Sequence, residues 1–442
     1  MSRSEQAPRG VHEHVDLSWR ASVMHTCDVL VIGGGSAGAS AAVASALQGA
    51  SVTLVERYGF LGGTGAMVLD TFYGFFTPGS EERKVVGGVP DRVIEGLDRR
   101  GMVLKRPNTY GAGAGLTYDP ETLKLVWDEL AQEAGVDVLH HATFVDVLRD
   151  GARVTGAVLA TKGGLRAVRA GAVVDASGDA DVAARAGAPF EDAGADGTAQ
   201  SLTTTFRMID VDVEEALAFP KRELWARMHE AAERGDYDLP RREGSAHITP
   251  FPNAMHTNMT RVAGVDATDP EQLSRAEREG RKQAFEYARF LRECVPGYAR
   301  AHLSGLSVQI GVRESRRIRG EYWLTRDDVL GAASFPDAVA RCGAPIEEHH
   351  AGGDTRWEYL PDGETVDIPY RCLLPREVEG LVVAGRCLSA SHDAHASVRS
   401  MGQCMAMGQA AGVAAALARG GDLRGVDVTE LRARLAQLGA LL

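Results

Sequence analysis

The chain has 442 residues, 44% of them hydrophobic and 24% charged, with a formal net charge of −12. That length exceeds one compact core and points to two domains, and the acidic balance argues against nucleic acid or an anionic membrane surface as partner. Six cysteines (Cys27, Cys294, Cys342, Cys372, Cys387, Cys404) show neither CxxC nor metal-type spacing, which argues against a disulfide framework, a zinc site and an iron–sulfur site. No apolar run reaches the roughly 18 residues of a membrane span. Residues 1–23 read as a polar tail without the apolar core of a signal peptide. A soluble cytoplasmic protein is expected.

Cys27 to Arg57 reads CDVLVIGGGSAGASAAVASALQGASVTLVER. The apolar run Val29–Ile32 predicts a buried strand, and Gly33, Gly35 and Gly38 follow in GxGxxG spacing. A small-residue helix then runs to Leu47, and a second strand, Ser51–Val55, ends on Glu56. Strand, glycines, helix, strand and acid in this order form a dinucleotide-binding βαβ unit, with the pyrophosphate at the positive end of the helix. Glu56 is placed to accept a hydrogen bond from an adenosine ribose hydroxyl. A carboxylate there repels a 2′-phosphate, so the nucleotide is expected to be FAD or NAD rather than NADP.

A second glycine-rich loop, RYGFLGGTGA, follows directly and carries Arg57, Gly59, Gly62, Gly63 and Thr64. It resembles the corresponding loop of the glutathione-reductase-like FAD-dependent oxidoreductases. A helix is expected from Asp119 to Ala134, opened by Asp-Pro and an acidic first turn. Three strand-like segments then follow to Asp179, with turns at Gly151 and Gly163-Gly164. The last ends Val173-Val174-Asp175-Ala176-Ser177-Gly178-Asp179 and resembles the superfamily element that returns to the nucleotide sheet. Asp179 reads either as an orienting polar group or as a helix cap.

The remaining pieces, 71–115 and 191–369, read as a discontinuous α+β substrate or cap domain. Phe72, Tyr73, Phe75 and Phe76 are candidates for an apolar pocket, with core packing as the competing reading for at least half of them. Gln200–Asp210 reads as a strand and His256–Gly264 as another, with Asn258 and Arg261 able to face the cavity. Helices are expected at Val213–Arg234 and Glu271–Cys294. In GVRESRRIRGEYWLT, Arg313, Arg316, Arg317 and Arg319 crowd four guanidinium groups into seven residues. Either they form a solvated face, or at least one of Arg313, Arg316 and Arg317 meets cofactor or substrate. His349-His350 and His140-His141 read as structural or surface pairs.

Leu381–Ala384 reads as the last parallel strand, Gly385 as its tight exit, and the Ala/Gly-rich run beyond as a helix. Gly402, Gly408, Ala411, Gly412 and Ala415 would let that helix approach sheet and cofactor closely. His392 and His395 stand at its expected start, with Arg399 after them. Capping competes there with proton transfer beside a cofactor, and no further ligands organise a metal site.

GVRESRRIRGEYWLT and VVAGRCLSASHDAHASVRSMGQCMAMGQAAG together resemble the bacterial FAD-dependent oxidoreductase family, over about Cys27 to Arg419. Arg386 fits that family, although many members of the wider superfamily carry an acid there. The resemblance implies bound FAD on an α/β fold: a Rossmann-like domain of parallel sheet and β-meander from residues 24–70, 116–190 and 370–442, plus the cap. It further implies that the last helix points its N-terminus at the flavin. The residues expected to hold the cofactor are Gly33, Gly35, Ser36, Ala37, Gly38, Glu56, Arg57, Gly62, Gly63, Thr64, Ala176, Gly178, Gly385, Arg386 and Gly402. His392, His395, Arg313 and Arg317 are the catalytic candidates. The expected activity is hydride transfer from a small or medium organic substrate to flavin, with reoxidation by oxygen or another acceptor and a homo-oligomer as an option. A flavin monooxygenase, an NADH-fed reductase and a nucleotide- or partner-binding protein without turnover are the alternatives. The missing second GxGxxG argues against a dedicated NAD domain, and the missing CxxC against a dithiol relay.

Overall fold

Strand β1 (Ser22–Ile32) is the spine of the molecule. Its last four residues are fully buried, as their unbroken apolar run requires, while Ser22–Asp28 is more exposed. The strand therefore starts seven residues earlier than its apolar end suggests, because Ser22–Cys27 pairs with the meander rather than with the buried sheet. The computed structural model describes residues 18, 20–80, 82–108, 113–195, 199–349, 355–418 and 422–442. Most of the expected N-terminal tail, parts of the Gly/Tyr loop before Ala114, and His350 lie outside these residues.

The other elements of the nucleotide fold are helix α1 (Ser36–Leu47), β2 (Val52–Val55), α2 (Pro120–Ala134), β3 (Asp137–Leu139), β4 (Thr143–Asp150), β5 (Arg153–Thr161), β6 (Gly164–Asp175), β7 (Leu381–Val383), α3 (His392–Val398) and α4 (Met401–Ala418). Asp119 caps α2 by accepting from the Thr122 amide. The sheet runs β3-β2-β1-β6-β5-β4, with β7 also beside β6. β3, β2, β1, β6 and β7 pair in parallel; β4, β5 and β6 form an antiparallel meander. β6 belongs to both. Leu165–Arg169 pairs with β5, and Val173–Asp175 pairs with Leu381–Val383.

The small residues of α4 have a direct explanation. A Cβ on Gly408 would lie 2.0 Å from the Ala37 carbonyl oxygen, and one on Gly412 would lie 2.2 Å from that of Ala41. The Ser45 hydroxyl donates to the Gly412 carbonyl across the same contact (2.8 Å). α4 therefore packs backbone to backbone against α1, which carries the nucleotide motif.

A second unit has its own core from Phe206 to Ala301. Strands Ser245–Ile248, Ala254–Asn258, Phe206–Ile209 and His302–Leu306 form an antiparallel sheet in that order, backed by helices Lys221–Glu233 and Pro270–Cys294. The expected helix from Val213 breaks at Phe219–Pro220 into Val213–Ala218 and Lys221–Glu233, as proline demands. The expected strand from Gln200 is regular only over Phe206–Ile209, and that from His256 ends at Asn258. Residues 71–115 and 324–369, assigned by sequence to the cap, contribute Phe72, Val93, Leu97, Leu324, Val339 and Ile368 to the core around α1, α2 and α4. Among the described residues no helix is long and apolar enough to cross a membrane.

Candidate active site

The two glycine loops build one cradle. Gly33 has φ +96°, and a Cβ there would lie 2.5 Å from the Ala176 carbonyl oxygen. Gly63 has φ +52°, and its Cβ would lie 2.6 Å from the Cα of Gly35. The Gly62 amide donates to the Gly34 carbonyl (2.8 Å), so the second loop buttresses the first. Gly38 serves packing: its Cβ would lie 1.7 Å from the Gly33 carbonyl oxygen. No side chain caps α1 at Gly35, which leaves its first amides for an anion. Glu56, buried at the end of β2, accepts from the Gly34 amide (2.7 Å) with one oxygen and from the Tyr58 amide (2.9 Å) with the other.

A cavity of about 720 Å³ opens from this cradle. Gly33, Gly35, Ser36, Ala37, Glu56, Arg57, Gly63, Thr64, Ala176, Gly178, Gly385 and Arg386 line it. Gly38, Gly62 and Gly402 do not; a Gly402 Cβ would sit 3.1 Å from the Phe75 ring and the Tyr73 carbonyl, so this glycine admits a neighbouring loop. Arg57 donates to Gln309 (3.2 Å), which also accepts from the Tyr58 hydroxyl. Arg386 donates to Asp179 (3.0 Å), and Ser315 donates to the same carboxylate oxygen (2.6 Å). Burial opposes the Asp179 charge, but Arg386 holds its carboxyl below the usual range. Asp179 is thus an orienting group; Ser177 receives the Asp181 amide instead (3.0 Å). Arg386 keeps one buried nitrogen, Nη1, without a protein partner. The uncapped helix, the glycine cradle and this nitrogen fit the diphosphate of a dinucleotide.

The far end of the cavity is lined by Tyr73, Thr203, Arg241, Asn258, Arg313, Glu347, His349, Trp357 and Arg399. Of the four aromatics considered from sequence, only Tyr73 faces it; Phe72 and Phe75 are core. Asn258 faces it as expected, while Arg261 stands behind, paired to Glu243 (2.8 Å). His349 bonds Glu347 at 3.0 Å and Thr355 at 3.2 Å. Burial, with Arg313 adding, pushes the His349 imidazole well below its ordinary range. Burial opposes the Glu347 charge, yet His349, Arg399 and Arg313 bring its carboxyl down to about 2. Glu347 and Arg241 escaped the sequence reading, and His349 was read as structural or surface, because no motif surrounds them: Glu347 lies on the three-residue strand Ile346–Glu348, and His349 and Arg241 lie outside regular elements.

The helix expected to begin at His392 is two helices, α3 and α4, parted at Arg399–Ser400. The cavity receives Arg399, Ser400, Met401 and Cys404 around that break, but neither histidine. His392 lies between two buried carboxylates, Glu314 (2.9 Å) and Glu348 (3.3 Å). His395 is fully buried, donates from Nε2 to the Arg386 carbonyl (3.1 Å) and is held neutral by burial, then by Arg317 and Arg399. The RESRR segment is irregular up to Ser315 and then enters a short strand, Arg316–Ile318, that pairs with Phe190–Asp192. Arg317 is completely buried against Glu314 (3.0 Å) and Glu191 (2.7 Å), Arg316 bonds Asp181 (3.1 Å), and Arg319 bonds Glu191. Of this run only Arg313 reaches the cavity. His140 bonds the Tyr58 carbonyl (3.2 Å), and the His141 ring lies 3.0 Å from where a Gly59 Cβ would stand, so both support the nucleotide loop.

The model of the FAD dependent oxidoreductase family matches residues 28–435. A 4-oxocyclohex-2-ene-1-carboxylate 5-dehydrogenase of Sinomonas cyclohexanicum is 30% identical over 31% of this chain and 22% of its own. A digeranylgeranylglycerophospholipid reductase of Methanospirillum hungatei is 33% identical over 34% of this chain and 38% of its own. The matched parts thus span well under half the length of these curated relatives. Among solved structures, a geranylgeranyl bacteriochlorophyll reductase-like protein of Thermoplasma acidophilum aligns over 94% of this chain and 83% of that one, at 14% identity and a TM-score of 0.43. The flavin-dependent brominase Bmp2 aligns over 94% and 84%, at 16% identity and a TM-score of 0.45. The family match over nearly the whole chain makes this protein a member of the FAD-dependent oxidoreductase family, an enzyme whose cofactor is FAD.

Proposed function

We propose that the protein oxidises a small or medium organic substrate by transferring a hydride from a C–H bond to FAD, with oxygen or another acceptor closing the cycle. One observation carries this reading: a single cavity joins the dinucleotide cradle to a polar, partly aromatic chamber formed by other segments of the chain. Bound FAD supplies the hydride acceptor, while the protein supplies binding, orientation and charge.

In this reading the α1 N-terminus and Arg386 hold the diphosphate, and Glu56 fixes the cradle and receives a ribose hydroxyl. The first turn of α4, which faces the cavity through Met401 and Cys404, favours negative charge gathered beside it. Glu347 and His349, 3.0 Å apart, form the pair that accepts the proton released from the substrate. The sheet around Phe206–Ile209 and the loop carrying His349 form the substrate side.

The test is anaerobic reduction of the flavin-loaded protein. A panel of alcohols, amines and saturated organic acids is mixed with it while the visible flavin bands are followed. Bleaching by a panel member, slowed about 100-fold in Glu347→Gln at unchanged FAD content, is expected. Rapid bleaching by NADH, with none by any organic substrate, would sink the proposal in favour of a reductase.

A further inference from the structure

Arginines in this protein are placed beside carboxylates with few exceptions in this region. Around the RESRR segment, Arg316 has Asp181, Arg317 has Glu314 and Glu191, and Arg319 has Glu191. Arg241 and Arg261 share Glu243, at 3.6 and 2.8 Å. Arg386 has Asp179. The exceptions are Arg313 and Arg399. Among the described residues, the recorded bonds of both go to backbone carbonyls: Arg313 donates to Ser201 (2.6 Å) and Arg399 to Glu347 (3.4 Å). The Arg399 Nε is buried without a partner. Both side chains line the same chamber.

Two guanidinium groups near one another that share one carboxylate, Glu347, keep a positive charge in excess, which is costly in a partly desolvated site unless an anion joins them. Burial, with Arg399 adding, lowers Arg313 from the usual arginine range to about 9, and burial, with Arg386 adding, lowers Arg399 against the pull of Glu347. Glu347, which also bonds His349, balances one of the two charges and leaves the other. The diphosphate of FAD has its own donors in the glycine cradle and Arg386. Arg313 and Arg399 are anchored elsewhere, on Ser201 and Glu347, among the segments that form the far chamber. Guanidinium groups match the planar fork of a carboxylate.

We propose that Arg313 and Arg399 together bind the carboxylate of the substrate, so that the enzyme acts on organic acids. This rests on the hydride-transfer reading above and adds the substrate class to it. Trp357 and Tyr73 in the same chamber leave an apolar surface for the rest of the acid.

The FAD-loaded protein is titrated with benzoate and, separately, with benzamide, which has the same shape without the charge. The visible flavin spectrum is the readout, and FAD per chain is measured after acid release. Benzoate is expected to shift the flavin bands saturably and benzamide is not. Arg313→Gln and Arg399→Gln are each expected to weaken benzoate tenfold or more at unchanged FAD content, and Arg313→Lys to recover part of the loss. Equal response to acid and amide, no response to benzoate, or wild-type titration by both Gln variants overturns the proposal. Loss of FAD from folded Arg313→Gln or Arg399→Gln protein also overturns it, since the arginines would then serve the diphosphate. If one variant does not fold, the other decides. A wild-type protein without FAD would sink the oxidoreductase reading itself; a flavoprotein bleached by uncharged substrates and indifferent to benzoate sinks only the acid specificity.

Discussion

Replacing Gly408 by alanine tests whether the contact between α4 and α1 sets the cofactor cradle. The new Cβ would lie 2.0 Å from the Ala37 carbonyl oxygen and 2.7 Å from its carbon, whereas Cβ contacts under 3.0 Å are essentially never seen. The obstruction is backbone on both sides, so no rotamer change relieves it, and the helices must part by about 1 Å locally. Overpacking of this kind costs about 1–3 kcal/mol, and a clash with rigid backbone belongs at the upper end. With roughly 2.1 cal/mol/K of unfolding entropy per residue, about 3 kcal/mol lowers the melting temperature of a chain this long by about 3 °C if it melts as one unit. Ala37 stands in the first turn of α1 and lines the cavity, so the same displacement opens the diphosphate site. Gly412→Ala is the matched control: its Cβ would lie 2.2 Å from the Ala41 carbonyl oxygen, one turn further from the cradle. Calorimetry and FAD titration of both apoproteins give the answer. Equal loss of melting temperature, with about a tenfold loss of FAD affinity confined mainly to Gly408→Ala, is expected. Equal loss of FAD affinity in the two would show that the effect is general loosening, and no loss of either quantity would refute the close approach.

Glu56→Ala should weaken FAD retention by about 1–3 kcal/mol, the scale of hydrogen bonds to a charged group, because the Gly34 and Tyr58 amides lose their acceptor along with the ribose; unchanged occupancy on dilution would count against it. Arg386→Met should leave Asp179 without its cation and lower FAD occupancy, measured by flavin absorbance per chain. His392→Leu should lower the melting temperature by removing one partner of the buried Glu314 and Glu348, while flavin-band changes on substrate addition persist in the folded fraction, because this ring does not line the cavity. Burial pushes His256 down to about 4, and His247 and His349 are also depressed by burial. A base depressed in the folded state contributes stability above its ordinary pKa near 6.5 and loses it as pH falls toward the folded value. The melting temperature should therefore drop between about pH 6.5 and 4, with His256 alone accounting for about 3 kcal/mol; a flat profile there would refute the neutral buried state.

The nucleotide half of the fold was readable because its constraints are local. Strand, glycine turn, helix and acid occur within thirty residues, and each leaves a trace: Val29–Ile32 apolar on both faces, Gly33 with positive φ, the small-residue run of α1, and Glu56 at the end of β2; Asp119 before Pro120 marks the next helix in the same local way. The far chamber of the cavity was not readable, because it is assembled by contacts that leave no such trace. His392 and His395 precede the small-residue helix in sequence, and that placed them at its expected start, beside a cofactor. The turn at Arg399–Ser400 reorients the chain and sends both rings into the interior, where Glu314, Glu348 and the Arg386 carbonyl receive them. The arginine run showed the same limit. The short strand Arg316–Ile318 sends Arg316 to Asp181 and Arg317 to Glu314 and Glu191, Arg319 beyond it shares Glu191, and Arg313 before it is left at the chamber. His349 read as half of a structural or surface pair because nothing in its neighbourhood signals a place in a cavity.

The double membership of β6 bears on how the chain is made. Its C-terminal edge, Val173–Asp175, is completed only by Leu381–Val383. At the usual 5–20 residues per second, a ribosome needs roughly 10–40 s to add the intervening stretch. Throughout that interval the nascent nucleotide sheet carries an open, β-branched edge and lacks the helix that closes the floor of its cradle. Such an edge is a template for pairing with another chain. Truncations ending before Leu381 are thus expected to aggregate rather than yield a small nucleotide-binding domain, and stable capture of the cofactor belongs to the end of synthesis, after α4 has emerged.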